Sequence, residues 1–271
     1  MDLKLLKETP PWEWPKDTGT AALAILHDDH AEEPDRRLAA ELAGDFTVIN
    51  NDLAAALLAI VSSGAATVEL RSTAAIALGP ALEHADTMGF DDADDVLLSE
   101  ETVVRVQRTL HGLFTDAEVP EGVRRRILEA SVRAPQNWHQ DAVRVAYAIQ
   151  DEGWRLTGVF CMRFVSGFDD EILEALDSDD AEVHYHAVCA AGNWEVDAAW
   201  SHIANLVTSD DADKSLRLAA IEAIASIRPQ QAVEMLLDLT DQDDDDIVEA
   251  AFEALAVARG FSEEDLDESS L

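Results

Sequence analysis

The chain has 271 residues, 48% of them hydrophobic, and a formal net charge of −37, with 19 Lys and Arg against 56 Asp and Glu. That balance excludes a reader of nucleic-acid phosphates, whose affinity comes from Lys and Arg, and a binder of anionic membrane surfaces. Two cysteines, Cys161 and Cys189, are too few for a disulfide framework, and neither has a CxxC neighbour.

The N-terminal residues Met1-Asp2-Leu3-Lys4 show no apolar leader segment, so a cytoplasmic location is expected. Residues 1–19 read as an irregular arm, because Pro10, Pro11 and Pro15 each remove a backbone donor and restrict the preceding residue. Trp12 and Trp14 among those prolines suggest that the arm docks on the rest of the chain and covers its open end. From residue 20 onward, helices alternate with short acidic turns. Asp52 is expected to cap a helix whose Leu53, Leu57, Leu58 and Val61 fall at helical spacing. The apolar run from Leu53 to Val61 is far shorter than the roughly 20 residues of a membrane helix.

One register then returns seven times, starting at Asp35, Leu70, Val123, Trp154, Val183, Leu216 and Ile247. One residue later come Arg36, Arg71, Arg124, Arg155, His184, Arg217 and Val248. Four later come Ala39, Ala74, Ile127, Gly158, Ala187, Ala220 and Ala251, and seven later Leu42, Ala77, Ala130, Cys161, Ala190, Ala223 and Ala254. Two mostly small positions at i+4 and i+7 mark a close-packed helix face. A period of about 30 residues reads as an all-α superhelical solenoid of about seven helical hairpins, over residues 20–260. The interval from Leu70 to Val123 is 53 residues, against 29–35 elsewhere. Residues 83–99 are therefore expected to form an acidic inserted loop. Asp151, Asp180, Asp213 and Asp244 stand three before a start and are predicted helix N-caps. An acidic tail spans residues 261–271.

The stretch Asp180-Ala-Glu-Val183-His-Tyr-His-Ala187-Val-Cys-Ala190-Ala191-Gly192 resembles the HEAT repeat of the phycobilisome-lyase type. Leu70-Arg71-Ser-Thr-Ala74-Ala75-Ile-Ala77-Leu78-Gly79 does so too. The resemblance covers residues 34–258 and implies the fold. It also implies that Arg36, Arg71, Arg124, Arg155 and Arg217 pair with loop acids in a ladder. It does not imply one function, since the repeat serves scaffolds, lyase subunits and hydroxylases. The His-Glu dipeptides that hold di-iron in the hydroxylases are absent.

The repeat leaves some residues unexplained. Asn137, Trp138 and His139 follow one second helix, Asn193 and Trp194 another, and Trp200 and His202 lie just beyond. With Trp154 they form a candidate binding set, since Trp is favoured at interface hot spots. The alternative is that these tryptophans are buried fillers that close turns. The short pairs His27/His30 and His184/His186 lack the third ligand a zinc site wants, and no metal or cofactor is expected. The runs Asp91–Asp95 and Asp241–Asp246 lack the glycine and terminal Glu of a calcium loop. The sequence points to a non-catalytic scaffold or adaptor whose partner is another protein, one that is basic or presents a helix or peptide. The alternatives are a lyase-type or other enzyme subunit using residues 138–202, and an acidic mimic that occupies a basic protein. The charge itself has two readings, salt adaptation or a basic ligand.

Overall fold

The computed structural model describes residues 3–92, 96–209 and 211–260. All regular structure among them is helical. The fold is the expected all-α solenoid of stacked helical hairpins. It divides into two compact units, residues 1–142 and 143–271. The expected acidic tail, residues 261–271, lies outside the described residues, as do residues 93–95 of the inserted segment.

The first unit opens with α1 (Leu3–Lys7) and a 3-10 turn at Pro11–Glu13. The arm is thus partly helical. Leu3 and Leu6 are buried, and α1 packs on α3. The Trp14 indole Nε1 donates to the carbonyls of Leu6 (3.0 Å) and Thr9 (2.8 Å), which folds the proline segment back over α1. Three hairpins follow: α2 (Thr18–His27) with α3 (Glu33–Ala43), α4 (Asn51–Ser62) with α5 (Val68–Ala77), and α7 (Glu100–Thr115) with α8 (Glu121–Ser131). The cap of α4 is Asn50 rather than Asp52. Its side chain accepts from the amides of Asp52 and Leu53, and its extended backbone (ψ 178°) lies outside the helix. Asp52 instead sits in the first turn, where its charge complements the helix dipole.

The extra sequence between Leu70 and Val123 is only partly a loop. Residues Gly79–Met88 form α6, with Pro80 in its first turn and Ala81, Leu82 and Ala85 buried. Acidic residues at Glu83 and Asp86 hid this apolar face. Glu83 pairs with Arg133, and Gly89 ends the helix at φ 70°. The connection to α7 therefore begins at Gly89.

α9 (His139–Ala148) crosses the division between the units, and α10 (Glu152–Cys161) follows it. The second unit continues with the hairpins α11 (Asp169–Leu176) with α12 (Ala181–Asn193), α13 (Trp200–Thr208) with α14 (Lys214–Ile227), and α15 (Pro229–Leu239) with α16 (Asp245–Arg259).

Each start of the repeat register lies on a helix: α3, α5 and α8 in the first unit, and α10, α12, α14 and α16 in the second. Every residue of the two small columns is buried, from Ala39 and Leu42 to Ala251 and Ala254. In the first unit α3 packs on α5 and α5 on α8. In the second, α10 packs on α12, α12 on α14 and α14 on α16. Alanine at these sites lets the axes approach to the short end of the usual 8–10 Å. Gly44 and Gly192 show how close: a Cβ on Gly44 would lie 2.4 Å from the Ala77 carbonyl oxygen, and one on Gly192 2.7 Å from Ala223 Cα.

Candidate functional site

Three arginines of the column donate to backbone carbonyls, a partner the sequence did not suggest. Arg71 Nε donates to the Val61 carbonyl at 2.8 Å, Arg217 Nε to Val207 at 3.1 Å, and Arg36 Nη2 to Leu26 at 3.2 Å. In each case the acceptor lies ten residues upstream, at the C-terminal end of the preceding helix. The reason is geometric. A side chain near the start of a helix leans toward its N-terminus, and there it meets the orphan carbonyls that close the helix before it. Arg71 is buried, and burial lowers its pKa. Arg155 does reach an acid, Glu174, at 3.5 Å between exposed groups, and it lies over the Tyr147 ring. Arg124 Nε is buried without a hydrogen-bond partner among the described residues. The aspartates do separate work. Asp151, Asp180, Asp213 and Asp244 each accept from backbone amides at the start of α10, α12, α14 and α16. Lys214 bridges Asp244 and Asp246.

The candidate tryptophan set falls into both units. In the first, Trp138 stacks on His111 at 4.6 Å and lies beside Phe114 and His139. Its Nε1 donates to Gln136, and Asn137 is exposed. His139 is almost fully buried. Its Nδ1 accepts from the Gln136 amide at 2.8 Å, so the proton sits on Nε2 and is donated to Ser131 Oγ at 3.1 Å. That tautomer points the wrong way for a base that would activate the serine. Burial pushes the His139 pKa down to about 4, so the ring stays neutral at pH 7.

In the second unit, Asn193 Nδ2 donates to the Arg163 carbonyl at 2.9 Å and Trp194 Nε1 to the Met162 carbonyl at 2.6 Å. Both thereby close the C-terminal end of α10. Trp154 is buried in the start column. Trp200 carries the Arg228 guanidinium 5.4 Å above its ring, and Arg228 makes a two-point contact with Asp197. His202 Nε2 lies 2.8 Å from His184 Nε2, one ring donating and the other accepting. His184 thus reaches forward to α13, where the arginines reach back. Burial and then the His202 charge lower its pKa. His27 and His30 are exposed. Among the described residues no three His, Cys, Asp or Glu converge on a metal position, and no helix is long and apolar enough to cross a membrane.

Open surface is found elsewhere, on the small-residue row. In the second unit a groove of about 720 Å³ crosses α12, α14 and α16. Leu218, Ala250 and Val257 supply apolar surface, Glu222, Asp246, Glu249 and Glu253 supply acid, and no Lys or Arg lines it. In the first unit a groove of about 750 Å³ crosses α3, α5 and α8 and is bounded by the arm. Both were missed in the sequence, because their residues occupy ordinary surface positions of the repeat. The only signal was the like-charged pair Glu249/Glu253 at i,i+4, which an isolated helix disfavours.

Residues 170–256 match the family model for HEAT repeats. No curated protein matches the chain. Among solved structures, YibA of Escherichia coli is 14% identical, covering 90% of this chain and 83% of its own, at a TM-score of 0.49. Human deoxyhypusine hydroxylase is 16% identical, with coverages of 90% and 96% and a TM-score of 0.38. A designed armadillo repeat protein is 16% identical, with coverages of 88% and 98% and a TM-score of 0.35. At these scores the activities remain properties of those proteins; what this chain shows on its own residues is an all-α solenoid, of which residues 170–256 match HEAT repeats.

Proposed function

We propose that the chain is a non-catalytic protein-interaction scaffold whose partner presents a basic peptide or helix. The observation that carries this reading is the groove of the second unit. Glu222, Glu249 and Glu253 stand over apolar surface with no cation among the lining residues, beside Asp246, which Lys214 pairs. Glu249 and Glu253 repel each other one turn apart on α16, and a Lys or Arg side chain between them would relieve that repulsion. The apolar surface suits the buried face of an amphipathic helix. The chain carries no basic stripe for nucleic acid or anionic lipid.

The tautomer of His139 and the turn-closing roles of Trp138 and Trp194 support a scaffold over an enzyme subunit that uses residues 138–202. The finer likeness to the phycobilisome-lyase type of repeat rests on Asp180–Gly192 and brings no chromophore-handling residue with it.

The test is fluorescence anisotropy with a labelled Lys/Leu amphipathic helix peptide. Binding should weaken at least about tenfold, roughly 1.4 kcal/mol, in Glu249→Gln/Glu253→Gln. The same charge removed as Glu100→Gln/Glu101→Gln on α7 should leave it unchanged. Equal weakening by both pairs would mean diffuse attraction to an acidic surface and would sink the groove as a site.

A further inference from the structure

Where Arg36, Arg71, Arg124, Arg155 and Arg217 carry a charge that never titrates near neutral pH, the same column carries His184 on α12. Its Nε2 meets His202 Nε2 at 2.8 Å, and both rings are half-buried. The ring centres lie 5.0 Å apart with planes at 74°, close to the greatest separation two imidazoles can have with their nitrogens at that distance. Each Nε2 therefore lies near the line between the rings, and the two meet head-on through one N–H. A metal held head-on by both nitrogens, at ~2.0–2.1 Å from each, would need them roughly 4 Å apart. The spacing fits a hydrogen bond instead.

This contact spans a junction between hairpins. α12 ends one hairpin and packs on α10, α11 and α14, while α13 begins the next and packs on α14. The connection between them holds Glu195 at φ 51°, a left-handed conformation that is uncommon for a residue with a side chain. The charged groups of the packed elements have their own partners or positions. On α11, the C-cap Asp177 acts on His184 and favours its charged form, while Asp169, Asp170 and Glu171 stand at the far end. Arg155 of α10 faces Glu174 of α11. On α14, Lys214 pairs with Asp244 and Asp246, Arg217 donates to the Val207 carbonyl and Gln242, and Glu222 lines the groove. Asp197, just before α13, pairs with Arg228. On α12 itself Glu182 is exposed in the first turn, and the His186 ring stands edge-on to Phe160. α13 carries no Asp, Glu, Lys or Arg.

The pair takes up protons in a fixed order. In the uncharged pair one Nε2 donates to the other, and the accepting ring carries its own proton on Nδ1. One further proton fits on the Nδ1 that the donating ring leaves unprotonated, and the hydrogen bond survives. A second can go only to the accepting Nε2. Two N–H groups then face each other, with two positive charges and no acceptor between them. We propose that His184 and His202 form a proton-operated latch at the junction of α12 and α13, closed at neutral pH and opened in acid when both rings are charged. Burial and then the His202 charge lower the His184 pKa, so the folded protein resists this protonation. The latch is thus complete above pH ~6.5 and is lost as the pH falls below it.

The experiment is amide hydrogen exchange on the full-length protein at pH ~7.5 and pH ~5, on either side of the ordinary histidine value. The readout is the protection of residues 194–206, corrected for the intrinsic exchange rate. In the parent it should fall at least about tenfold on acidification. His184→Gln and His202→Gln each leave a single imidazole that can charge without meeting a second, and each should keep the protection unchanged between the two pH values. His139 titrates in all three proteins, so a general acid loss would appear in the variants as in the parent. A thermal melt at pH ~7.5 checks that both variants keep their fold. No fall in the parent, or an equal fall in both variants, would overturn the latch. So would protection raised by nickel chloride in the parent and not in His202→Gln, which would make the pair a metal seat. No partner enters the experiment, so the basic-partner reading stands or falls on its own test.

Discussion

At the scale of single residues, the protein stores pH dependence and packing tightness in a few buried positions. His139 has a folded pKa of about 4, below the ordinary value near 6.5. Between those values the unfolded chain binds a proton that the folded chain refuses. Stability should therefore be complete above pH ~6.5 and fall as pH drops toward 4, by about 3 kcal/mol from this ring alone. Urea unfolding at pH 7 and pH 4.5 should show a smaller acid loss in His139→Gln than in the parent. Two glycines give opposite expectations. Gly192→Ala would force a methyl to 2.7 Å from Ala223 Cα, an overpacking cost of about 1–3 kcal/mol. Gly112→Ala, exposed in the last turn of α7 with nothing within 4 Å, should stabilise by up to about 0.5–1 kcal/mol. Melting the two variants side by side checks that contrast.

At the scale of elements, two side-chain devices close helix ends, and α14 carries both, Asp213 at its own start and Arg217 on the end of α13. The Asp cap satisfies amides at the start of one helix, and the arginine satisfies a carbonyl at the end of the helix before it. Asp180→Ala should cost about 0.5–2 kcal/mol, the usual range for a lost N-cap. Arg71→Met should cost about 1–3 kcal/mol, because it leaves the Val61 carbonyl buried and unpaired. Chemical denaturation of both variants measures the two devices separately. The small columns were legible in sequence because burial demands them at every repeat. The four Asp positions were legible for the same reason, since a cap sits at a fixed offset. The carbonyl partner of the arginines was not, because backbone acceptors leave no trace in residue identity. α6 was missed since Glu83 and Asp86 masked Ala81, Leu82 and Ala85. The grooves were invisible because they arise only when side chains from three separate repeats are brought together.

At the scale of the whole molecule, the charge dominates. Acids greatly outnumber cations on a surface where isolated ion pairs such as Arg155–Glu174 contribute little. Screening that self-repulsion should raise the melting temperature as KCl goes from ~0.15 M toward ~2 M. A melting curve that does not move over that range would remove salt adaptation as the reason for the acidity. The arginines that turn inward add a further consequence. Arg36, Arg71 and Arg217 answer to backbone carbonyls, whose dipoles are the same whatever the outer side chains carry. The architecture and the electrostatic coat are therefore separable. Evolution, or a designer, can repaint the exterior from acidic to neutral or basic without disturbing the joints that hold the two helices of a hairpin together, and a single frame can be issued in several charge versions.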